Sequence, residues 1–118
     1  MSIYKFQKLE VYQLALAYIK KIYKLANRLP KQEQYNLSSQ IQRAATSIAL
    51  NIAEGSTGQS NPEQQRFLNM AIRSYLETIA CLDLIEQCNY VITEDIAPLR
   101  SKGHQLFIKL SAFKKALR

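Results

Sequence analysis

Five polar residues recur at helical spacing near the middle of the chain. They are Gln40, Arg43, Ser47, Asn51 and Glu54, at intervals of three, four, four and three. Such intervals gather a guanidinium, a hydroxyl, an amide and a carboxylate on one narrow helix face. A second segment offers Ser74 and Glu77, three apart on one face. Nucleophilic catalysis by Ser47 would need a histidine to take its proton. The chain has a single histidine, His104, in a distant segment beside Gly103, and nothing in the spacing brings the two together. The better reading is a network that fixes helix register. Polar groups beside a core must be paired, so Arg43 is expected to pair with Glu77 or Glu54 while Ser47, Asn51 and Ser74 satisfy groups across the helix contact. A ligand-binding or catalytic role for the same stripe is the alternative.

Other constellations fail on spacing. Ser101, not glutamate, stands three residues before His104, so the carboxylate–histidine motif of di-iron bundles is missing. Gly55-Ser-Thr-Gly58 has a phosphate-loop flavour, but it follows a helical pattern and lacks the Gly-Lys-Ser/Thr signature. Cys81 and Cys88, seven apart, lie on one helix face about 10 Å from each other along the axis. That exceeds the roughly 4.4–6.8 Å Cα separation of a disulfide, so both are expected as small packing residues. The expectation is a non-enzymatic protein with no metal, cofactor, catalytic residue or small-molecule substrate.

Charge points elsewhere. Sixteen basic and nine acidic residues give a formal charge of +7. Lys20, Lys21, Lys24, Arg28 and Lys31 form one acid-free run, and Arg100, Lys102, Lys109, Lys114, Lys115 and Arg118 form another. A surface of this kind attracts polyanions, nucleic acid first. The alternative is a solubilising surface on an oligomer or scaffold for a protein partner. If the two runs approach each other, Lys24, Arg28 and Lys31 neighbour Arg100 and Lys102 at one end, with Lys5, Lys8, Lys114, Lys115 and Arg118 at the other.

The elements that must position these residues are helices. At 118 residues and 47% hydrophobic, the chain is expected to form one domain over residues 1–118 with no staple. It has no signal-peptide core and no run near the roughly 20 apolar residues of a membrane span, so a cytoplasmic protein is expected. Val11, Leu14, Tyr18, Ile22, Leu25 and Leu29 mark a helix over about 8–29, ended by Pro30. Leu37, Ile41, Ala44, Ala45, Ile48 and Ile52 mark a second over 34–54, with Gly55 as its left-handed terminator. Asn61 as cap and Pro62 at the first position open a third, with Gln64 placed for a capping box; it runs to about Asn89 on Leu68, Ile72, Tyr75, Ile79 and Leu82. After a turn near 89–93 the fourth starts at Glu94 or at Pro98 and carries Ile96, Leu99, Gly103, Leu106, Leu110, Phe113 and Leu117 at heptad spacing. Four helices with short connections predict an all-α, antiparallel, up-down-up-down four-helix bundle.

From Gln34 to Ala53 the only charge is Arg43. Gln42, Thr46, Ala49 and Ala53 lie away from the core stripe of the second helix, where a monomer would place lysine or glutamate. The third helix adds a second apolar side in Met70, Cys81, Leu84 and Cys88. A homo-oligomer is therefore expected, its interfaces on these two helices.

Phe6-Gln-Lys-Leu-Glu-Val-Tyr-Gln-Leu-Ala15, the segment Leu37–Gly55 and Phe67-Leu-Asn-Met-Ala-Ile-Arg-Ser-Tyr-Leu-Glu77 together resemble the bacterial four-helix-bundle proteins encoded in intervening sequences of 23S rRNA genes. Asn51-Ile-Ala-Glu-Gly55, with Ser47 before it and Ser74 and Glu77 after it, is the most specific part. Ala49 departs from the family pattern, where proline is frequent, and Arg73 stands where glycine is frequent. The resemblance implies a ring-like homopentamer. It also implies a distant relation to accessory proteins of diversity-generating retroelements, which are basic pentameric bundles that bind nucleic acid and a reverse transcriptase. RNA or DNA is the partner class this suggests.

Overall fold

A computed structural model describes residues 4–58 and 60–117. Its main elements are α1 (Glu10–Ala26), α2 (Leu37–Gly55), α3 (Asn61–Gln87) and α4 (Thr93–Ala116), with 3-10 turns at Lys5–Lys8 and Lys31–Glu33. No strand occurs among the described residues. α2 packs against α1 and α3, and α4 packs against the same two helices, which closes a four-helix bundle. The 27 residues of α3 at about 1.5 Å each span about 40 Å, close to the 43 Å long axis of the molecule.

The apolar stripes meet along this axis. Every expected core residue of α2 is buried, as are Tyr18, Ile22 and Leu25 of α1 and Ile96, Leu99, Gly103, Leu106 and Leu110 of α4. In α3 the buried line is Leu68, Ala71, Tyr75, Thr78, Cys81, Leu82 and Ile85, so Ile72 and Ile79 sit at its margin. Thr78 is the polar member of this line. Its hydroxyl donates to the Tyr75 carbonyl at 2.6 Å and lies 2.7 Å from the Tyr18 hydroxyl.

Two glycines are sites of close approach. A Cβ on Gly103 would lie 2.8 Å from Tyr18 Cε1 and 2.9 Å from Tyr75 Cε1, so the missing side chain lets α4 meet both tyrosine rings. Gly55 is not a left-handed terminator. It is the last residue of α2, and a Cβ there would stand 2.6 Å from the Cβ of Phe67. Positive φ belongs to Gly58, at 95°.

Several ends differ from the expected ones. α1 stops at Ala26, short of Pro30, and its last carbonyl accepts from the buried Ser38 hydroxyl at 3.1 Å. α2 begins at Leu37, after the 3-10 turn consumes Lys31–Glu33. Ser60, not Asn61, caps α3; its hydroxyl accepts from the Glu63 amide at 3.4 Å. Gln64 makes no capping box; its amide donates to Ser56 Oγ at 3.2 Å. α3 ends in a left-handed Asn89, φ 59°, with Tyr90 N donating to Ile85 O and Asn89 N to Glu86 O. That pair of bonds satisfies carbonyls that a helix end otherwise leaves open. α4 starts at Thr93, where Glu94 and Asp95 in the first turn offset the positive end of the helix dipole. Pro98 lies inside it, past the first turn, where its ring removes one backbone donor.

Candidate nucleic-acid interface

The α2 stripe is bonded only in part. Ser74 donates to Ser47 Oγ at 3.0 Å, which joins α3 to α2. Asn51 Nδ2 reaches back one turn to Ser47 O at 2.9 Å and Ser47 Oγ at 3.0 Å. Arg43 departs from expectation: its guanidinium forms no ion pair with Glu77 or Glu54 among the described residues. Gln40, Arg43, Ala44, Ser47, Ser74 and Glu77 instead line a shallow surface hollow. Arg43, Glu54 and Glu77 are all exposed, so the stripe is a wet surface feature at its rims and a half-buried register contact only at its centre.

The small-residue side of α2 is also partly used by the same chain. Thr46 Oγ1 bonds the Tyr23 hydroxyl at 2.7 Å, and Ala49 is buried in the bundle. What α2 and α3 leave open is apolar and larger: Leu50 is 61% exposed, Leu76 50% and Leu84 52%. Cys81 is buried, and that burial pushes its thiol pKa up, whereas Cys88 is exposed at the end of α3.

The basic runs do not stay acid-free once folded. Arg28 pairs with Asp95 at 2.8 Å. Arg100 is held by Asp83 and by Glu86, each at 2.8 Å. Lys109 approaches Glu10 at 3.5 Å, and Lys114 donates to Asn69 Oδ1 at 2.9 Å. At the far end of α4, Gln65 donates to the carbonyls of Lys114 and Leu117. Arg28 and Arg100 therefore do not merge with Lys24, Lys31 and Lys102 into one open cluster. Each arginine found a carboxylate on another helix, which linear charge runs cannot show. Arg118 lies outside the described residues.

Lys20, Lys21, Lys24 and Lys31 remain exposed, and Lys102 half-buried, with no ion pair among the described residues. The connection between α1 and α2 is anchored beside them. Tyr90 and Asn36 both donate to the Glu33 carboxylate, at 2.7 and 3.0 Å. These bonds, Tyr90's foremost, hold its carboxyl below the usual range. Two aromatic residues near the lysines carry no mark in the helical reading, Tyr23 on α1 and Tyr35 just before α2. Tyr35 stands outside the core spacing, which was the available signal.

No three His, Cys, Asp or Glu side chains gather to hold a metal among the described residues. Among the described residues no helix is long and apolar enough to cross a membrane.

No curated protein matches this chain. It is similar to a crystal structure of a protein of unknown function from the S23 ribosomal protein family of Bacteroides thetaiotaomicron. The TM-score is 0.82 and the identity 27%, over 90% of this chain and 99% of that one. The family model described as 23S rRNA-intervening sequence protein matches residues 7–112. The chain belongs to the 23S rRNA-intervening sequence protein family.

Proposed function

We propose that this protein is a non-enzymatic, cytoplasmic, homo-oligomeric RNA-binding bundle, the oligomer being the pentamer that the family resemblance implies. The observation that carries the reading is the row of exposed lysines on α1, Lys20, Lys21 and Lys24, without carboxylate partners while neighbouring arginines have them. Unneutralised cations release counterions from a phosphate backbone, and copies in an oligomer multiply the effect. The resemblance to basic retroelement accessory proteins that bind nucleic acid supports nucleic acid as the polyanion. Helix contacts support an antiparallel, up-down-up-down order. Ser47 meets Ser74 while Gly55 meets Phe67, and Arg28 meets Asp95 while Glu10 meets Lys109.

The test is an electrophoretic shift of structured RNA at about 50 mM salt. Binding that falls steeply with added salt supports the reading, and no shift at low salt overturns it. A second reading, an oligomeric scaffold for a protein partner without nucleic acid, draws on the exposed Leu50, Leu76 and Leu84. A specific partner whose association survives nuclease treatment, in a protein that shifts no RNA, would favour it.

A further inference from the structure

A groove of about 850 Å³ opens between the end of α1 and the first half of α2. This lies within the roughly 300–1,000 Å³ of sites that enclose small ligands. Its floor is apolar, formed by Ala26 and Leu29. Its walls carry three kinds of group. Lys31 and Arg43 are cations with no ion pair among the described residues. Gln34 and Gln42 offer amides. Tyr23 and Tyr35 offer rings, and Tyr35 is 91% exposed. No carboxylate lines the groove. The nearest acid in sequence, Glu33, is occupied by Tyr90 and Asn36.

The Tyr23 hydroxyl is tied to Thr46 across the groove, so that ring is fixed in place. Tyr35 is the reverse case, a large ring left almost wholly in water beside two free cations. Aromatic faces, amides and unpaired cations around one concavity are what unstacked bases and their phosphates use: rings to stack on, amides for base edges, cations for the backbone. A duplex hides its base edges and is recognised through its shape and backbone instead.

We propose that the α1–α2 groove is a binding site for a short unpaired run of RNA, with Tyr35 as a stacking platform and Arg43 and Lys31 on the phosphates. Lys20 and Lys24, flanking Tyr23 on α1, extend the charged track away from the groove. This rests on the RNA-binding reading above and assigns it a strand type and a place.

The test uses the full chain and two fluorescent probes, a short oligouridylate and a fully paired hairpin, read by anisotropy at low salt. Tyr35→Ala and Arg43→Gln alter exposed side chains, and circular dichroism verifies that both variants stay folded. Each is expected to weaken oligouridylate binding at least about fivefold, the low end for loss of one stacking or charged contact, and to leave hairpin binding within about twofold. Variants that bind oligouridylate as tightly as the parent overturn the groove assignment, whereas the RNA reading stands if the hairpin is still bound. A parent that binds neither probe ends both. A Tyr35→Ala variant whose mass by light scattering drops to that of a smaller assembly also overturns the assignment, because a second copy of the chain then covers the groove.

Discussion

The Tyr18 hydroxyl donates a hydrogen bond to Thr78 Oγ1 at 2.7 Å, between two side chains wholly shielded from water. The direction follows from Thr78, whose one proton is already committed to the Tyr75 carbonyl. A satisfied buried bond contributes about 1 kcal/mol, but an orphaned buried hydroxyl costs about 1–3 kcal/mol. Tyr18→Phe, which removes the donor cleanly, is expected to cost about 1 kcal/mol. Thr78→Val strands the phenol and is expected to cost about 2 kcal/mol. The double variant should be less destabilised than the sum. Denaturant unfolding at fixed protein concentration checks this, and strict additivity would contradict the bond.

The same phenol makes the fold sensitive to alkali. Burial pushes the Tyr18 pKa far above its ordinary value of about 10. A group whose folded pKa exceeds its unfolded one contributes full stability below the unfolded value and loses it as pH rises above it. Stability is therefore expected to fall above about pH 10, by up to about 1.4 kcal/mol per pH unit from this residue. Tyr18→Phe should flatten that part of the profile. An unchanged slope in the variant would assign the loss to other groups.

At Gly103 the prediction concerns volume. Alanine there must displace two tyrosine rings that are themselves enclosed. Overpacking of this kind costs about 1–3 kcal/mol, read as a drop in midpoint by thermal denaturation. Gly58→Ala meets nothing within 4 Å, so any cost there comes from its positive φ alone, about 1–2 kcal/mol.

RNA binding should separate the basic residues into two groups. Lys20, Lys21 and Lys24 changed together to alanine are expected to reduce affinity and to lower the salt slope by about 2–3, without loss of stability. Arg100→Gln breaks contacts to Asp83 and Glu86 and is expected to destabilise the α3–α4 packing while leaving the salt slope nearly intact. Salt titrations of both variants decide; equal slopes for parent and triple variant would remove α1 as the interface.

Assembly is predicted to run through the exposed leucines. Leu76→Lys and Leu84→Lys, on α3 and away from the α1–α2 groove, put charge on surfaces that a neighbour would have to desolvate. Light scattering is expected to show smaller particles for each, with helicity unchanged. Parent-like mass for both would place the interface elsewhere.

The core was legible because it rests on periodicity. Ile41, Ile48, Ile52, Leu106 and Leu110 recur at helical spacing, and burial followed. Gly55 and Thr78 were not legible in the same way. A glycine near a helix end suggests a left-handed cap, and only the approach of Phe67 shows another cause. A threonine inside an apolar stripe has no visible partner until Tyr18, 60 residues away, is brought to it. The charge runs misled for a related reason. Asp95 is remote in sequence from its partner Arg28, and Asp83 and Glu86 sit on another helix from their partner Arg100.

Those carboxylates share an address. Asp83, Glu86, Glu94 and Asp95 crowd around the turn between α3 and α4, while Lys20, Lys21, Lys24 and Lys31 occupy α1 and its exit toward α2. Arg28 pairs with Asp95, Arg100 with Asp83 and Glu86, and Tyr90 with Glu33, so the α1–α2 and α3–α4 connections are clipped to each other at one end of the bundle. Fraying of either connection there must release the other, which couples the two helix pairs as one unit.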